Sequence, residues 1–147
     1  MKTYKAKRKG FVLYLLLGGL IFLFVVFTLE RATYSEAPLA LLPLILLPAL
    51  VPVALLTWIY FDTYYQIENG KLKYKSAFLK GTIEISAINK VIVGKTMWTG
   101  IKPALAKNGL IIKYNRYDEV YIAPESNSEV IQDLLAVNKN IEVIANS

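Results

Sequence analysis

The stretch YYQIENGKLKYKS, residues 64–76, decides the architecture of the second half of the chain. Asn69-Gly70 is the dipeptide most typical of a two-residue β-hairpin turn. The residues on either side of it predict two strands that pair with each other. In the second of these strands Leu72 and Tyr74 alternate with three lysines, so one face is apolar and the other is cationic. The stretch therefore predicts an antiparallel hairpin that buries one face.

Four further strands are predicted downstream from short apolar and β-branched runs. They are Gly81–Ile85, Lys90–Gly94, Leu110–Tyr114 and Glu119–Ala123, of which the last two form a second hairpin. The segment Thr96–Asn108 between them is predicted to be irregular, since Gly100 and Pro103 break regular structure. A short strand near Met97 and Trp98 is an alternative for part of it.

The periodicity becomes helical after the last of these strands. Ser126 and Glu129 form an S-x-x-E capping box, which is typical of a helix N-terminus. Apolar residues at helical spacing follow, and they are Val130, Ile131, Leu134 and Leu135. The helix is expected to end near Asn138, with a short apolar tail at Ile141–Ile144. Six or seven antiparallel strands and one closing helix predict an α+β fold of the pleckstrin-homology (PH) type, by analogy of element order.

The same residues resemble a family of small bacterial PH-like domains, long listed as a domain of unknown function. The resemblance covers about half the chain, residues 65–143, and is carried by YQIENGKLKYKS, GTIEISAINKV, KPALAKNGLIIKYN, VYIAPES and the closing helix with NKNIEV. Two family patterns are present, an I-x-x-I segment at Ile85–Ile88 and an I-x-P step at Ile122–Pro124. The resemblance implies the PH-like fold and a membrane location, and it implies no reaction or ligand.

The hydrophobic residues, 55% of the chain, are concentrated before this domain. Residues 10–29 are uncharged, and a helix of that length is about 30 Å long, the thickness of a bilayer core. After a polar break at Glu30–Glu36, residues 37–61 are uncharged again. The pattern predicts a transmembrane hairpin (10–29 and 37–61) in a segment 1–61, followed by a PH-like domain at 62–147. A cleaved secretory signal is the competing interpretation of the first run, which is longer than a typical signal core.

Basic residues predict the orientation of the hairpin. Five of them precede the first span, and they are Lys2, Lys5, Lys7, Arg8 and Lys9. The loop between the spans holds only Arg31, so the positive-inside rule places both termini in the cytoplasm of a multi-pass inner-membrane protein. Trp58 and Tyr60 are predicted as interfacial anchors at the inner end of the second span. That span also contains Pro38, Pro43, Pro48 and Pro52, which predict a kinked anchor or, alternatively, a broken helix lining a transport site.

Composition excludes several kinds of chemistry. The chain has no His and no Cys, so it lacks an imidazole base, a thiol nucleophile and the usual zinc ligands. Gly94-Lys95-Thr96 matches the end of a P-loop, but Asn89 stands where the pattern requires glycine. The adjacent carboxylates Asp118 and Glu119 would point to opposite faces of a strand. We therefore predict no enzyme activity, no catalytic or metal-binding residues and no cofactor.

The distribution of charge is more informative. Residues 71–113 contain nine lysines against Glu84 alone, a net charge of +8, whereas residues 116–142 contain two basic and six acidic residues. Three interpretations compete: an anionic-headgroup surface, a site for an acidic protein, and a solvated face that protects a sheet edge. The candidate contact residues are Lys71, Lys73, Lys75, Lys80, Lys95 and Lys102. Trp98 is a candidate interfacial anchor, with a core or barrel-mouth position as the alternative.

The sequence thus predicts a non-enzymatic, membrane-anchored PH-like module for binding or scaffolding. Expected partners are the lipid bilayer, anionic lipid headgroups, another membrane protein or a second copy of the chain. Nucleic acid is not expected, because stacking aromatics are not interleaved with the lysines. Two alternatives are a bacteriocin self-immunity protein, suggested by similarity to two-span proteins with related domains, and an accessory subunit of a membrane transport complex.

Overall fold

A computed structural model describes residues 1–8, 11–33 and 42–145. These residues form three α-helices, one short 3-10 helix at Ile85–Ala87 and eight strands. In chain order the α-helices and strands are β1 Lys2–Lys5, α1 Phe11–Thr33, α2 Leu42–Phe61, β2 Tyr64–Glu68, β3 Lys71–Ser76, β4 Leu79–Glu84, β5 Ile88–Val93, β6 Leu110–Tyr114, β7 Asp118–Ile122, α3 Asn127–Val137 and β8 Glu142–Ala145. The predicted α+β order is confirmed, with two strands that the sequence did not indicate.

The first sheet has the order β1-β2-β3-β4, and all its pairs are antiparallel. Its centre is the predicted hairpin, in which Asn69 and Gly70 take φ values of 49° and 71°. Both values belong to a type I′ turn, which suits the right-handed twist of the strands. The unexpected strand is β1, which pairs Lys5 with Tyr64 and Lys2 with Ile67. The predicted division at residue 62 therefore leaves one strand of this sheet on the other side of the helices.

The second sheet has the order β7-β6-β5-β8. Its two hairpin strands pair as predicted, and β8 lies parallel to β5, where the sequence indicated only an apolar tail. No strand forms around Met97 and Trp98 in the described chain; Ile101 makes an isolated parallel bridge to Val120. The prediction of antiparallel strands alone was thus wrong for β8. β8 has only four residues, which is too short a run to show the two-residue alternation of a strand clearly.

The two sheets meet at a seam that the N-terminal segment closes. Ala6 bridges to Pro124, and the amide of Lys7 donates to the carbonyl of Ala123 at 2.7 Å. In the other direction the amide of Glu125 donates to the carbonyl of Lys5 at 3.0 Å. These bonds join the end of β1 to the end of β7, next to the start of α1. We call this end of both sheets the helix-proximal end.

The core lies between the two sheets and is closed by α3. Its largest fully buried side chains include Tyr65, Leu72 and Ile112 from the sheets, and α3 adds Val130 and Leu134. The predicted helix cap is present, because the Ser126 hydroxyl accepts a hydrogen bond from the Glu129 amide at 3.4 Å. The aspartate of α3, Asp133, binds both Lys2 and the hydroxyl of Tyr4, which fastens β1 to the helix.

The apolar helices α1 and α2 pack against each other. A Cβ added at Gly19 would lie 3.1 Å from a methyl group of Val53, so the absence of a side chain permits this approach. Within the described residues, Leu13–Thr33 is the one helical stretch long and apolar enough to cross a membrane, and Leu50–Phe61 is apolar but shorter. One predicted span is therefore supported and the second is not established. Pro48 and Pro52 lie inside α2.

Three sequence predictions concern residues at or beyond the ends of the described helices. Pro38 and Lys9 lie outside the described residues. Pro43 is the second residue of α2, where a missing amide costs no helical hydrogen bond. The first apolar helix also continues to Thr33, through the segment from Glu30 that was predicted as a polar break.

Candidate functional site

The lysines of β3 lie on the outer face of the first sheet, as their alternation predicts. Each of them forms an ion pair. Lys71 lies 2.7 Å from Glu84, Lys73 lies 2.8 Å from Glu68, and Lys75 lies 3.0 Å from Asp62. Two of these three carboxylates, Glu68 and Asp62, precede residue 71 and so lie outside the segment 71–113 with its net charge of +8. The face is consequently less cationic than the sequence alone suggests.

The protonation of these pairs follows from their geometry. The Lys73 ammonium, which donates a hydrogen bond to Glu68, holds the pKa of that carboxyl below its ordinary value. The hydrogen bond to Asp62 raises the pKa of Lys75. Both pairs are therefore charged at neutral pH. Because they are substantially exposed, each contributes little to stability.

Strand register arranges the charges of this face in rows. The row at the helix-proximal end joins Lys5, Tyr64, Lys75 and Lys80 across the four strands. The opposite row contains Glu68, Lys71 and Glu84. Positive charge is thus concentrated next to the apolar helices and falls to a small negative balance at the far end. We call the first set the proximal row.

A second candidate surface is formed by residues 94–109, which we call the 94–109 loop. It leaves the second sheet after β5 and returns at β6, and the amide of Gly94 donates to the carbonyl of Gly109 at 2.9 Å. The loop folds over the outer face of the sheet, where Met97 is buried against Ile111 and Tyr121. The second sheet is therefore covered on both faces.

Two tyrosine hydroxyls fix the loop in place. The Tyr65 hydroxyl lies in the core between the two sheets. It donates to the carbonyl of Pro103 at 2.6 Å and accepts from the amide of Ala123 at 3.1 Å. The Tyr121 hydroxyl donates to the carbonyl of Ala106 at 2.8 Å and accepts from the amide of Gly109 at 3.0 Å. Burial raises the pKa of Tyr65, so this donor stays protonated well beyond neutral pH.

The loop and the sheet enclose an open pocket of about 430 Å³. Its walls are mostly apolar, and Trp98 stands at its rim with 80% of its surface exposed. The lining residues are Thr96, Trp98, Lys102, Ala104, Leu105, Ala106, Lys107 and Tyr121. Pockets of this size and character are typical of small-molecule sites in general. We call it the loop pocket.

The structure separates the sequence-predicted contact residues into different places. Trp98 and Lys102 come together at the loop pocket, and Lys95 belongs to the same loop without lining the pocket. The other four lysines lie on the first sheet. Of the anchors in α2, Trp58 is about half exposed, whereas Tyr60 packs against the core. Trp98 is 80% exposed at the pocket rim, so a core position is wrong for it, and its neighbour Met97 is the buried residue.

The sequence did not predict the roles of several residues at these surfaces. Arg8 lies over the Tyr60 ring at 5.5 Å, which joins the N-terminal segment to the end of α2. Lys107 and Thr96 line the pocket, and Tyr65 positions its loop. Its strand alternation with Tyr64 was the available signal, because only one of two neighbours can face the core.

The described part of the chain contains no group of three His, Cys, Asp or Glu side chains that could hold a metal ion. Its polar groups are mainly lysines, hydroxyls and paired carboxylates. Such groups suit recognition of an anion or an acidic surface.

The fold agrees with comparisons to known proteins. Residues 63–138 match the family model described as Bacterial PH domain. The chain belongs to this family. It is also 27% identical over 94 residues to the uncharacterized protein YyaB of Bacillus subtilis (strain 168), a match that covers 63% of this chain and 64% of that protein. The chain thus spans under two thirds of that relative. No solved structure matches it.

These comparisons confirm the resemblance found in the sequence, that of a small bacterial PH-like domain of unknown function. The matched residues begin at Thr63 and end at Asn138, so β1 and β8 lie outside the family match. These are the two strands that the sequence did not indicate. The resemblance found in the sequence extends to Val143, five residues beyond the end of the family match.

Proposed function

We propose that the chain is a non-catalytic PH-like module that two apolar helices anchor to the cytoplasmic face of a bacterial membrane. The observation that carries this proposal is the pairing of β1 with β2. β1 precedes α1 and β2 follows α2, so the apolar segment leaves the first sheet and returns to it at one end. Such a path suits a hairpin of two crossings with both flanks on one side.

The surface of the helices supports a lipid environment. Ile21, Phe22 and Phe24 of α1 are each more than 60% exposed, which would be unfavourable in water as a continuous apolar surface. The 20 residues of α2 form a helix of about 30 Å, the thickness of a bilayer core. Its packing on α1 at Gly19 is consistent with a hairpin that crosses together.

The charge arrangement supports the orientation. The basic N-terminal segment and the proximal row lie at the helix-proximal end, where they would face lipid headgroups. Each lysine near an anionic cytoplasmic leaflet is attracted by about 1 kcal/mol. In this orientation the domain has its cationic end at the membrane and its acidic end away from it. The expected ligands are anionic headgroups or the acidic surface of another membrane protein.

The topology can be tested directly, because the chain has no cysteine to mutate first. Single variants Thr3→Cys, Ser35→Cys and Asn140→Cys would be treated with a membrane-impermeant maleimide in intact spheroplasts and in inverted vesicles. We expect Ser35→Cys to label from outside, and Thr3→Cys and Asn140→Cys to label only in inverted vesicles. Labelling of Thr3→Cys and Asn140→Cys from outside would refute the proposed anchoring. Labelling of all three variants from the same side would refute it as well.

The binding role needs a separate test. The full chain and a chain ending at Phe61 would be captured from the same gently solubilised membranes. We expect a protein or an anionic lipid to be enriched by the full chain alone. If the two captured fractions have the same composition, the domain is not a binding module and this part of the proposal is wrong.

A further inference from the structure

We infer that the loop pocket is a binding site for the headgroup of an anionic phospholipid in the membrane that anchors the protein. The inference rests on the proposed membrane anchoring and adds a ligand, a site and two contact lysines to it.

The chemistry of the pocket selects an anion. Its side-chain polar groups with hydrogens to offer are the ammonium groups of Lys102 and Lys107, the hydroxyl of Thr96 and the indole N–H of Trp98. The Thr96 oxygen already accepts from the Asn108 amide at 3.1 Å, which leaves its hydrogen free to donate. The Tyr121 hydroxyl has its hydrogen committed to Ala106. A phosphate group, which only accepts, complements such a set of donors.

Charge balance points the same way. The 94–109 loop contains three lysines and no acidic residue. None of the ion pairs within the described residues involves Lys102 or Lys107. This distinguishes the loop from β3, where each lysine has a carboxylate partner. The positive charge of the loop is therefore available to a ligand, whereas that of β3 is largely used within the sheet.

The position of the pocket places it at headgroup depth. The Ala123 carbonyl accepts from the Lys7 amide, and the Ala123 amide donates to Tyr65, whose hydroxyl holds Pro103 of the loop. Lys7 lies four residues before α1 and Tyr65 four residues after α2. Four residues reach at most about 14 Å, so the loop is attached close to the ends of both helices. An exposed Trp98 with neighbouring lysines is the composition expected at a membrane interface.

The pocket is also preformed. Its walls are apolar and its loop is held by two tyrosine hydroxyls and the buried side chain of Met97. A ligand therefore does not have to order the loop when it binds, which lowers the cost of binding. The apolar lining suits the glycerol and upper chain region of a lipid whose phosphate sits between the lysines. An acidic protein segment would use the lysines but leave the apolar wall unmatched.

The test measures which lipid contacts Trp98. The full chain with Trp58→Phe, so that Trp98 is the reporter, would be placed in zwitterionic nanodiscs. These contain about one lipid in ten brominated near the top of its chains, either anionic phosphatidylglycerol or zwitterionic phosphatidylcholine. Two lysines at about 1 kcal/mol each imply a preference of about 30-fold for the anionic lipid. The pocket would then hold the brominated anionic lipid roughly three-quarters of the time, against about one tenth for the zwitterionic one.

Two charge variants make the test specific. In K102Q/K107Q we expect quenching by the anionic lipid to fall to the zwitterionic level. The matched control R116Q/K139Q removes two charges at the opposite end of the sheets and should retain the selectivity. Equal quenching by the two lipids in the parent chain, or selectivity that survives in K102Q/K107Q, would overturn the assignment. Trp98 shielded by a bound acidic protein would show no quenching by either lipid and would overturn it too.

The failure of this inference is distinguishable from failure of the anchoring proposal. A Trp98→Phe chain reports Trp58, which lies on α2. If both brominated lipids quench Trp58 and Trp98 shows no selectivity, the helices are in the bilayer and only the pocket assignment is wrong. If neither lipid quenches Trp58, the membrane anchoring itself is wrong.

Discussion

The hydroxyl of Tyr65 is the group whose removal tests the architecture of the loop pocket most directly. Tyr65→Phe keeps the buried ring and deletes one oxygen. That oxygen donates to the Pro103 carbonyl at 2.6 Å and accepts from the Ala123 amide at 3.1 Å. One substitution therefore removes the bond that ties the 94–109 loop to the barrel interior and a bond to the end of β7.

The magnitude follows from what is left behind. Pro103 and Ala123 are both buried, so water cannot readily replace the lost partner. An unsatisfied buried polar group costs about 1–3 kcal/mol. The gain from no longer burying a hydroxyl offsets part of the loss. We expect Tyr65→Phe to lower the free energy of unfolding by about 2–4 kcal/mol. Most of this loss should come from weaker attachment of the 94–109 loop.

The assay is chemical denaturation of the full chain in detergent micelles, followed by near-ultraviolet circular dichroism. Hydrogen exchange at the Ala123 amide, measured by NMR, reports the local bond. Tyr117→Phe is the matched control, because Tyr117 is 83% exposed and its loss should change stability by less than about 0.5 kcal/mol. A Tyr65→Phe chain as stable as this control, with the Ala123 amide still protected, would refute the reasoning.

Three further substitutions test other contacts. A Cβ at Gly81 would lie 2.2 Å from the Tyr74 hydroxyl oxygen. Gly81→Ala should therefore displace the Tyr74 ring and lower the midpoint of thermal unfolding in detergent. An unchanged midpoint would contradict this. Hydrogen bonds from Lys2, and then from Tyr4, hold the pKa of Asp133 below its ordinary 3.8, so this contact stabilises the fold above that pH and is lost as pH falls below it. Asp133→Asn should flatten that part of the acid unfolding curve, and a parallel curve would show the contact to be without effect. Ser126→Ala removes the cap of α3 and should cost about 1 kcal/mol in denaturant unfolding, whereas Ser126→Asp should restore it.

Much of the fold was predictable because it depends on local signals. The Asn69-Gly70 turn fixed the register of the central hairpin, and the S-x-x-E box at Ser126 marked the start of α3. The strands β1 and β8 were not predictable in the same way. Each has four residues, and each is a strand only because a distant segment offers an edge to it. The basic residues of β1 were interpreted as a signal of membrane orientation. The same segment also forms the edge strand of the first sheet.

The candidate surfaces were predictable only in part for a similar reason. The hairpin register already places Glu68 near Lys73, so that ion pair could have been inferred. The pairs of Lys71 with Glu84 and of Lys75 with Asp62 depend on a third strand and on the end of α2. The loop pocket depends on Tyr65 reaching across the barrel to Pro103, 38 residues along the chain. No local pattern contains a contact of that separation.

The pairing of β1 with β2 has a consequence for how the protein is made. Lys5 is synthesised early, but its partner Tyr64 emerges only after both apolar helices. The first sheet can therefore close only after α2 has brought the chain back to the end of the sheet where α1 left it. Until β2 is available, β1 has no partner strand and Tyr4 lacks the core that buries it. The first four-residue strand of the chain is thus one of the last parts of the first sheet that can form.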